Sequence, residues 1–89
     1  MKVLLITYDL KEPKQQYANF FAEFQKTTKW WHYLESTWLV YTELTPKQWS
    51  DTLVPKIYDK DYLLIIEVTP SYYGWLPKDA WAWIKENLG

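Results

Sequence analysis

Lys2-Val3-Leu4-Leu5-Ile6-Thr7-Tyr8-Asp9 is a run of strand-favouring apolar residues that stops at a carboxylate. Successive side chains of a strand point to opposite faces, so Val3 and Leu5 look one way and Leu4 and Ile6 the other. Further along, Leu63 and Ile65 oppose Leu64 and Ile66 in the same manner. A sheet with one solvated face alternates apolar with polar residues. Both faces of this sheet therefore need a cover, from a second subunit or from the end of the chain. Asp9 falls at the carboxyl end of the strand, a position where many sheets hold ligands.

Outward from this strand, Leu10 to Lys14 reads as a polar loop, with Pro13 suited to the first turn of a helix. Tyr17, Phe20, Phe21 and Phe24 recur at i, i+3, i+4 and i+7, which predicts an amphipathic helix from Lys14 to about Thr28. Trp30 to Glu35 and Thr37 to Glu43 have the composition of paired strands, joined by a tight turn near Ser36. Thr45-Pro46-Lys47-Gln48 is a helix start with a capping box; the helix points Trp49 and Leu53 inward, with Ile57 as a further inward position, and Pro55 ends or kinks it near Val54. Asp59-Lys60-Asp61 is a polar turn, and Tyr62 to Val68 a nearly continuous apolar strand. Pro70 to Leu76 is a loop, followed by a helix from Pro77 to Leu88 with Ala80, Trp81, Ile84 and Leu88 as its stripe, Trp83 off it and Gly89 as its stop.

The order strand, helix, strand, strand, helix, strand predicts an α+β, ferredoxin-like βαββαβ domain with a four-stranded antiparallel sheet plus a C-terminal helix. Residues 1–68 form the core and 69–89 the loop and terminal helix of a single domain.

At 89 residues, such a domain buries only about 60 to 65% of the surface of its unfolded chain, so a partner would help to stabilise it. Seven Trp and eight Tyr exceed what one small core requires, so some rings should face a partner. Cysteine is absent, which excludes disulfides, thiolate zinc sites and cysteine nucleophiles. A single histidine, His32, rules out mechanisms that need two, and two glycines cannot build a P-loop or a dinucleotide fingerprint. All ten basic residues are lysines and the net charge is -1, so any contact with nucleic acid must rest on a local lysine patch. No segment approaches the roughly 18 to 20 apolar residues of a membrane span, and the expectation is a soluble cytoplasmic protein.

Asp9 is the first candidate ligand or metal site, against the plainer reading that it accepts hydrogen bonds from the loop amides that follow. Tyr8 reads as packing before acid. His32 is a candidate base or ligand, or a strand surface residue between Trp31 and Tyr33. Ser36 makes a poor nucleophile for it, being about 13 Å away along one strand unless the turn intervenes. Lys11, Lys14, Lys26 and Lys29 flank the first helix and are placed to touch phosphates, although Glu12 and Glu23 dilute the patch. Tyr72, Tyr73 and Trp75 around Gly74 offer a stacking platform for a base, or pack on the terminal helix.

With this order in place, Tyr8-Asp9, the Leu34-Glu35-Ser36-Thr37-Trp38 hairpin, Glu43-Leu44-Thr45-Pro46 and Asp59 to Asp61 resemble the small CRISPR-associated Cas-two family and its VapD relatives over Met1 to Val68. Trp31 to Trp38 and Gly74-Trp75-Leu76-Pro77 look still more like a group of short bacterial and phage proteins labelled "SinR family", which brings no activity with it. The Cas-two resemblance implies a homodimer formed through the sheets. It also implies that Asp9 from each subunit faces a shared cleft, where Mg2+ or Mn2+ would serve an endoribonuclease acting on RNA, or a role alongside DNA. The arginines that grip phosphate in that family are absent, and a tryptophan-rich helix stands where many members place a further strand. The alternatives carried forward are a non-catalytic module that binds itself or a protein partner through its aromatic surface, and a small-nucleotide binder.

Overall fold

A computed structural model describes residues 1–88; the helix stop assigned to Gly89 lies outside the described residues. The sheet contains β1 (Lys2–Asp9), β2 (Lys29–Leu34), β3 (Thr37–Thr42) and β4 (Tyr62–Glu67) in the order β2-β3-β1-β4. Read from the other edge, this is the interleaved order of the split βαββαβ fold, with β1 and β3 central and β2 and β4 at the edges. β1 runs antiparallel to both neighbours, Leu5 standing opposite Leu39 on β3 and Ile66 on β4.

Helices α1 (Ala18–Gln25) and α2 (Pro46–Leu53) cover one face. Leu4 and Ile6 of β1 and Trp38 and Val40 of β3 meet Tyr17, Phe20, Phe24, Trp49 and Leu53 there, all buried. Phe24 is the hub of this layer, stacked at 4.8 Å on Trp38 and 6.0 Å on Trp49. The predicted capping box of α2 is present: Thr45 Oγ1 accepts from the Gln48 amide, and the Gln48 side chain accepts from the Thr45 amide. The helix ends at Leu53, and Pro55 sits in the single 3₁₀ turn that follows.

Helix α3 (Lys78–Leu88) supplies the cover that the apolar second face demands. Val3, Leu39 and Trp31 close over Ala80 and Ile84, and the Trp31 indole donates to the Ala80 carbonyl at 3.2 Å. Trp83, expected off the stripe, packs against this layer with Trp81 and Leu88, so the apolar strip of the helix is wider than its i, i+4 pattern. No helix among the described residues is long and apolar enough to cross a membrane.

The first helix departs from its predicted span at both ends. Lys14–Tyr17 is a 3₁₀ turn, closed by the Gln16 amide donating to the Pro13 carbonyl at 3.0 Å. At the other end Thr27 donates its hydroxyl to the Phe24 carbonyl at 2.7 Å, terminating the helix early enough for β2 to begin at Lys29.

Because α3 is seated on the sheet by few fully buried side chains, Ile84→Ala should lower stability by about 2 to 4 kcal/mol, as expected when a buried isoleucine is truncated. Urea denaturation followed by far-ultraviolet circular dichroism measures the loss; a change below about 0.5 kcal/mol would show that α3 is not docked as described.

Candidate functional site

Asp9 ends β1 opposite Tyr62, the first residue of β4, with its side chain exposed. Its carboxylate does not bond the loop amides; it receives the Lys11 ammonium at 2.6 Å, and the same ammonium lies 5.6 Å from the centre of the Tyr62 ring. An exposed pair of this kind contributes little to stability. Asp9 is therefore accessible and already neutralised by its neighbour.

The loop amides are held by a different carboxylate. Asp61 Oδ1 accepts from the Lys11 amide at 2.8 Å, and Oδ2 accepts from the Tyr17 hydroxyl at 2.8 Å and the Tyr58 amide at 2.9 Å. The Glu12 amide donates in turn to the Tyr17 oxygen at 3.0 Å. Asp61 is buried, and burial, the largest influence on it, pushes its pKa up. The amides of Lys11 and Tyr58, the Tyr17 hydroxyl and the Lys11 charge together outweigh burial and hold the carboxyl below its ordinary value. Burial likewise pushes the Tyr17 phenol above its ordinary value. Asp61 read from the sequence as part of a polar turn. Only the fold brings residues 11, 17, 58 and 61 to one point.

A cleft of about 180 Å³ adjoins this node and gathers Tyr8, Asp9 and Ser36, as well as Glu12, Lys14 and Glu35. Tyr8 and Ser36 meet here because the Tyr8 amide donates to the Ser36 carbonyl at 3.2 Å, locking the hairpin turn against the end of β1. The Tyr8 ring packs edge-on against Phe20 at 5.2 Å, and its oxygen accepts from the Trp38 indole at 3.0 Å. Burial raises the Tyr8 phenol above its ordinary value, with the Trp38 bond opposing and the Glu35 charge adding to the rise. A phenol shifted in that direction is no proton relay at neutral pH. The Tyr8 ring is packed among Phe20, Phe21 and Phe24 while its hydroxyl end borders the cleft.

His32 stands on the helix-covered face of β2, stacked at 3.9 Å on Trp38, with Nε2 3.1 Å from the Glu35 carbonyl. Its ring is engaged within the hairpin and does not line the Asp9 cleft. The lysines are dispersed in their contacts: Lys26 pairs with Glu23 at 2.7 Å, and Lys29 lies 5.3 Å from the centre of the Tyr41 ring. Tyr72, Tyr73 and Trp75 follow β4 at the opposite end of the sheet from Asp9, since Glu67 pairs with Leu4 and Tyr62 with Asp9. With Gly74 and Trp81 they line a cleft of about 500 Å³.

A hard divalent cation requires several oxygen ligands. Among the described residues no three His, Cys, Asp or Glu side chains lie close enough together to hold a metal ion. A cation held as the Cas-two resemblance implies would therefore need Asp9 carboxylates from two chains.

Comparison with known proteins finds no matching family model, no matching curated protein and no matching solved structure.

The Asp61 node yields a test of what holds this end of the molecule together. Asp61→Asn replaces an acceptor of three hydrogen bonds by an amide whose nitrogen must face a donor, and should cost about 2 to 3 kcal/mol in urea denaturation at neutral pH. A depressed folded-state pKa stabilises above the unfolded value and is lost as pH falls through the folded one. The wild type should accordingly lose this contribution only below about pH 4, and the difference between wild type and variant should shrink over that range.

Proposed function

We propose that this protein is a non-catalytic assembly module that pairs with a second copy of itself through the free edge of β4. The observation that carries this reading is the row Tyr62, Leu64 and Ile66, which are 68%, 53% and 49% exposed on the α3 side of a strand with no neighbour on its outer edge. A long apolar edge strand is a template for pairing unless it is blunted. β2, the other edge, is blunted by an irregularity between Trp31 and Leu34, whereas β4 runs regularly along β1 for its full length.

The row is also symmetric about Leu64. Antiparallel pairing with Leu64 opposite Leu64 of the second copy sets Tyr62 against Ile66 and joins two four-stranded sheets into one of eight strands. A closed two-fold contact of this kind uses the same patch on both copies. It would leave the two Asp9 side chains about 20 Å apart, from three strand spacings across and four residues along.

A second reading keeps the Cas-two resemblance: a dimer that acts on or with nucleic acid, cutting RNA with a divalent metal held by Asp9 of each subunit. The exposure of Asp9 beside the cleft shared with Ser36 favours it. It requires the sheets to face one another so that the carboxylates converge, and is incompatible with the edge-paired dimer.

Light scattering at tens of micromolar should give a dimer mass for the wild type and a monomer mass for Leu64→Lys, whose side chain is exposed enough to leave the fold intact. A monomeric wild type would sink the edge-pairing reading. For the second reading, RNA incubated with Mg2+ or Mn2+ should survive both wild type and Asp9→Ala. Cleavage by the wild type that disappears in the variant would replace the first reading with the nuclease.

A further inference from the structure

The loop between β4 and α3 displays two of the largest side chains in the protein to solvent: Tyr73 is 99% exposed and Trp75 97%. Its stem is not loose. Tyr72 stacks on Trp81 of α3 at 6.1 Å with an interplanar angle of 24°, and Leu76 joins the core beneath α3. A Cβ added at Gly74 would make an ordinary van der Waals contact with Trp81 Cη2, at 3.8 Å. Pro70 and Pro77 bracket the segment and restrict its backbone at both ends. The ring of Trp81, the stacked Tyr72 and the exposed Tyr73 and Trp75 line an open cleft of about 500 Å³.

The chemistry of this lining separates the ligands that flat rings attract. Every lining side chain is a tyrosine or a tryptophan, apart from Gly74, and none carries a charge. Single-stranded nucleic acid would bring a phosphate with every base, and proteins that stack its bases also line the groove with positive charge. A polyproline II segment brings the reverse: uncharged pyrrolidine faces to lie on aromatic rings, and backbone carbonyls free to accept from indole and phenol donors. Its backbone is already extended and ordered, so little entropy is lost on docking, and aromatic-lined grooves are the usual receptors for it.

We infer that the cleft formed by Tyr72, Tyr73, Trp75 and Trp81 is a binding site for a proline-rich peptide segment in the polyproline II conformation. The site is distinct from the β4 edge and does not depend on the pairing of two copies. A protein bearing both surfaces is a two-copy adaptor, presenting one peptide groove per protomer.

Titration of isotopically labelled protein with decaproline, followed by the indole N–H signals, tests this. The expected result is a saturable shift at Trp75 and Trp81, no shift with a Gly-Ser peptide of the same length, and weakening by roughly tenfold or more in Trp75→Ala and in Tyr73→Ala. Both substitutions remove exposed rings, so folding is not at stake. Binding should persist in Leu64→Lys, which separates this site from the assembly surface. The inference is overturned if decaproline produces no saturable shift, if Trp75→Ala binds it as well as the wild type, or if only an oligouridylate or neutral phosphatidylcholine vesicles shift the same signals. It is also overturned if Trp75→Ala converts a dimer to a monomer, since the rings would then belong to a contact between copies.

Discussion

A central strand with apolar side chains on both faces can be satisfied only between two layers, and that constraint organises the molecule. On one face Leu4 and Ile6 draw in the aromatic stripe of α1 and the inner face of α2; on the other Val3 and Leu5 draw in α3. A four-stranded sheet with two helices on one side would otherwise expose a broad apolar surface to water. The terminal helix removes most of that surface without a second subunit. What it leaves open is the outer strand, because a helix of 11 residues crossing towards Trp31 does not reach the β4 side of the sheet.

That division bears differently on the two proposed dimers. Packing sheet on sheet would need the face that α3 occupies, whereas pairing edge on edge needs only the backbone of β4 and its one exposed row. The same geometry bears on chemistry. Asp9 is exposed beside the uncovered strand, yet its carboxylate is matched by Lys11, and among the described residues no three His, Cys, Asp or Glu side chains lie close enough together to hold a metal ion.

Much of the fold was legible in the sequence because it rests on short-range patterns. Tyr17, Phe20 and Phe24 declared the buried stripe of the first helical segment, Thr45 to Gln48 declared a cap that is present atom for atom, and apolar residues on both faces of β1 and β4 declared the need for a second layer. Which body would supply that layer was not legible, since a terminal helix and a second subunit satisfy the same pattern. The sites fared differently. Tyr8, Asp9 and Ser36 do share a cleft, but His32 turns instead onto Trp38. Asp61 stood out only as part of the Asp59 to Asp61 turn, with no sign of burial: an acidic residue in a turn looks solvated, and its partners are a tyrosine 44 residues away and two backbone amides that have no side-chain signature.

The register of β1 also has a consequence for the order in which the chain can fold. The first strand of the sheet pairs with β3 after some thirty residues, but its other flank waits for β4, whose Tyr62 lies 53 positions beyond Asp9, and its second face waits longer still for α3. β1 therefore stays paired on one flank only while residues 43–67 are made. Non-local pairing of this kind slows folding and leaves unpaired edges open to aggregation in the interval. The helix that shields the finished sheet is the last part of it to arrive.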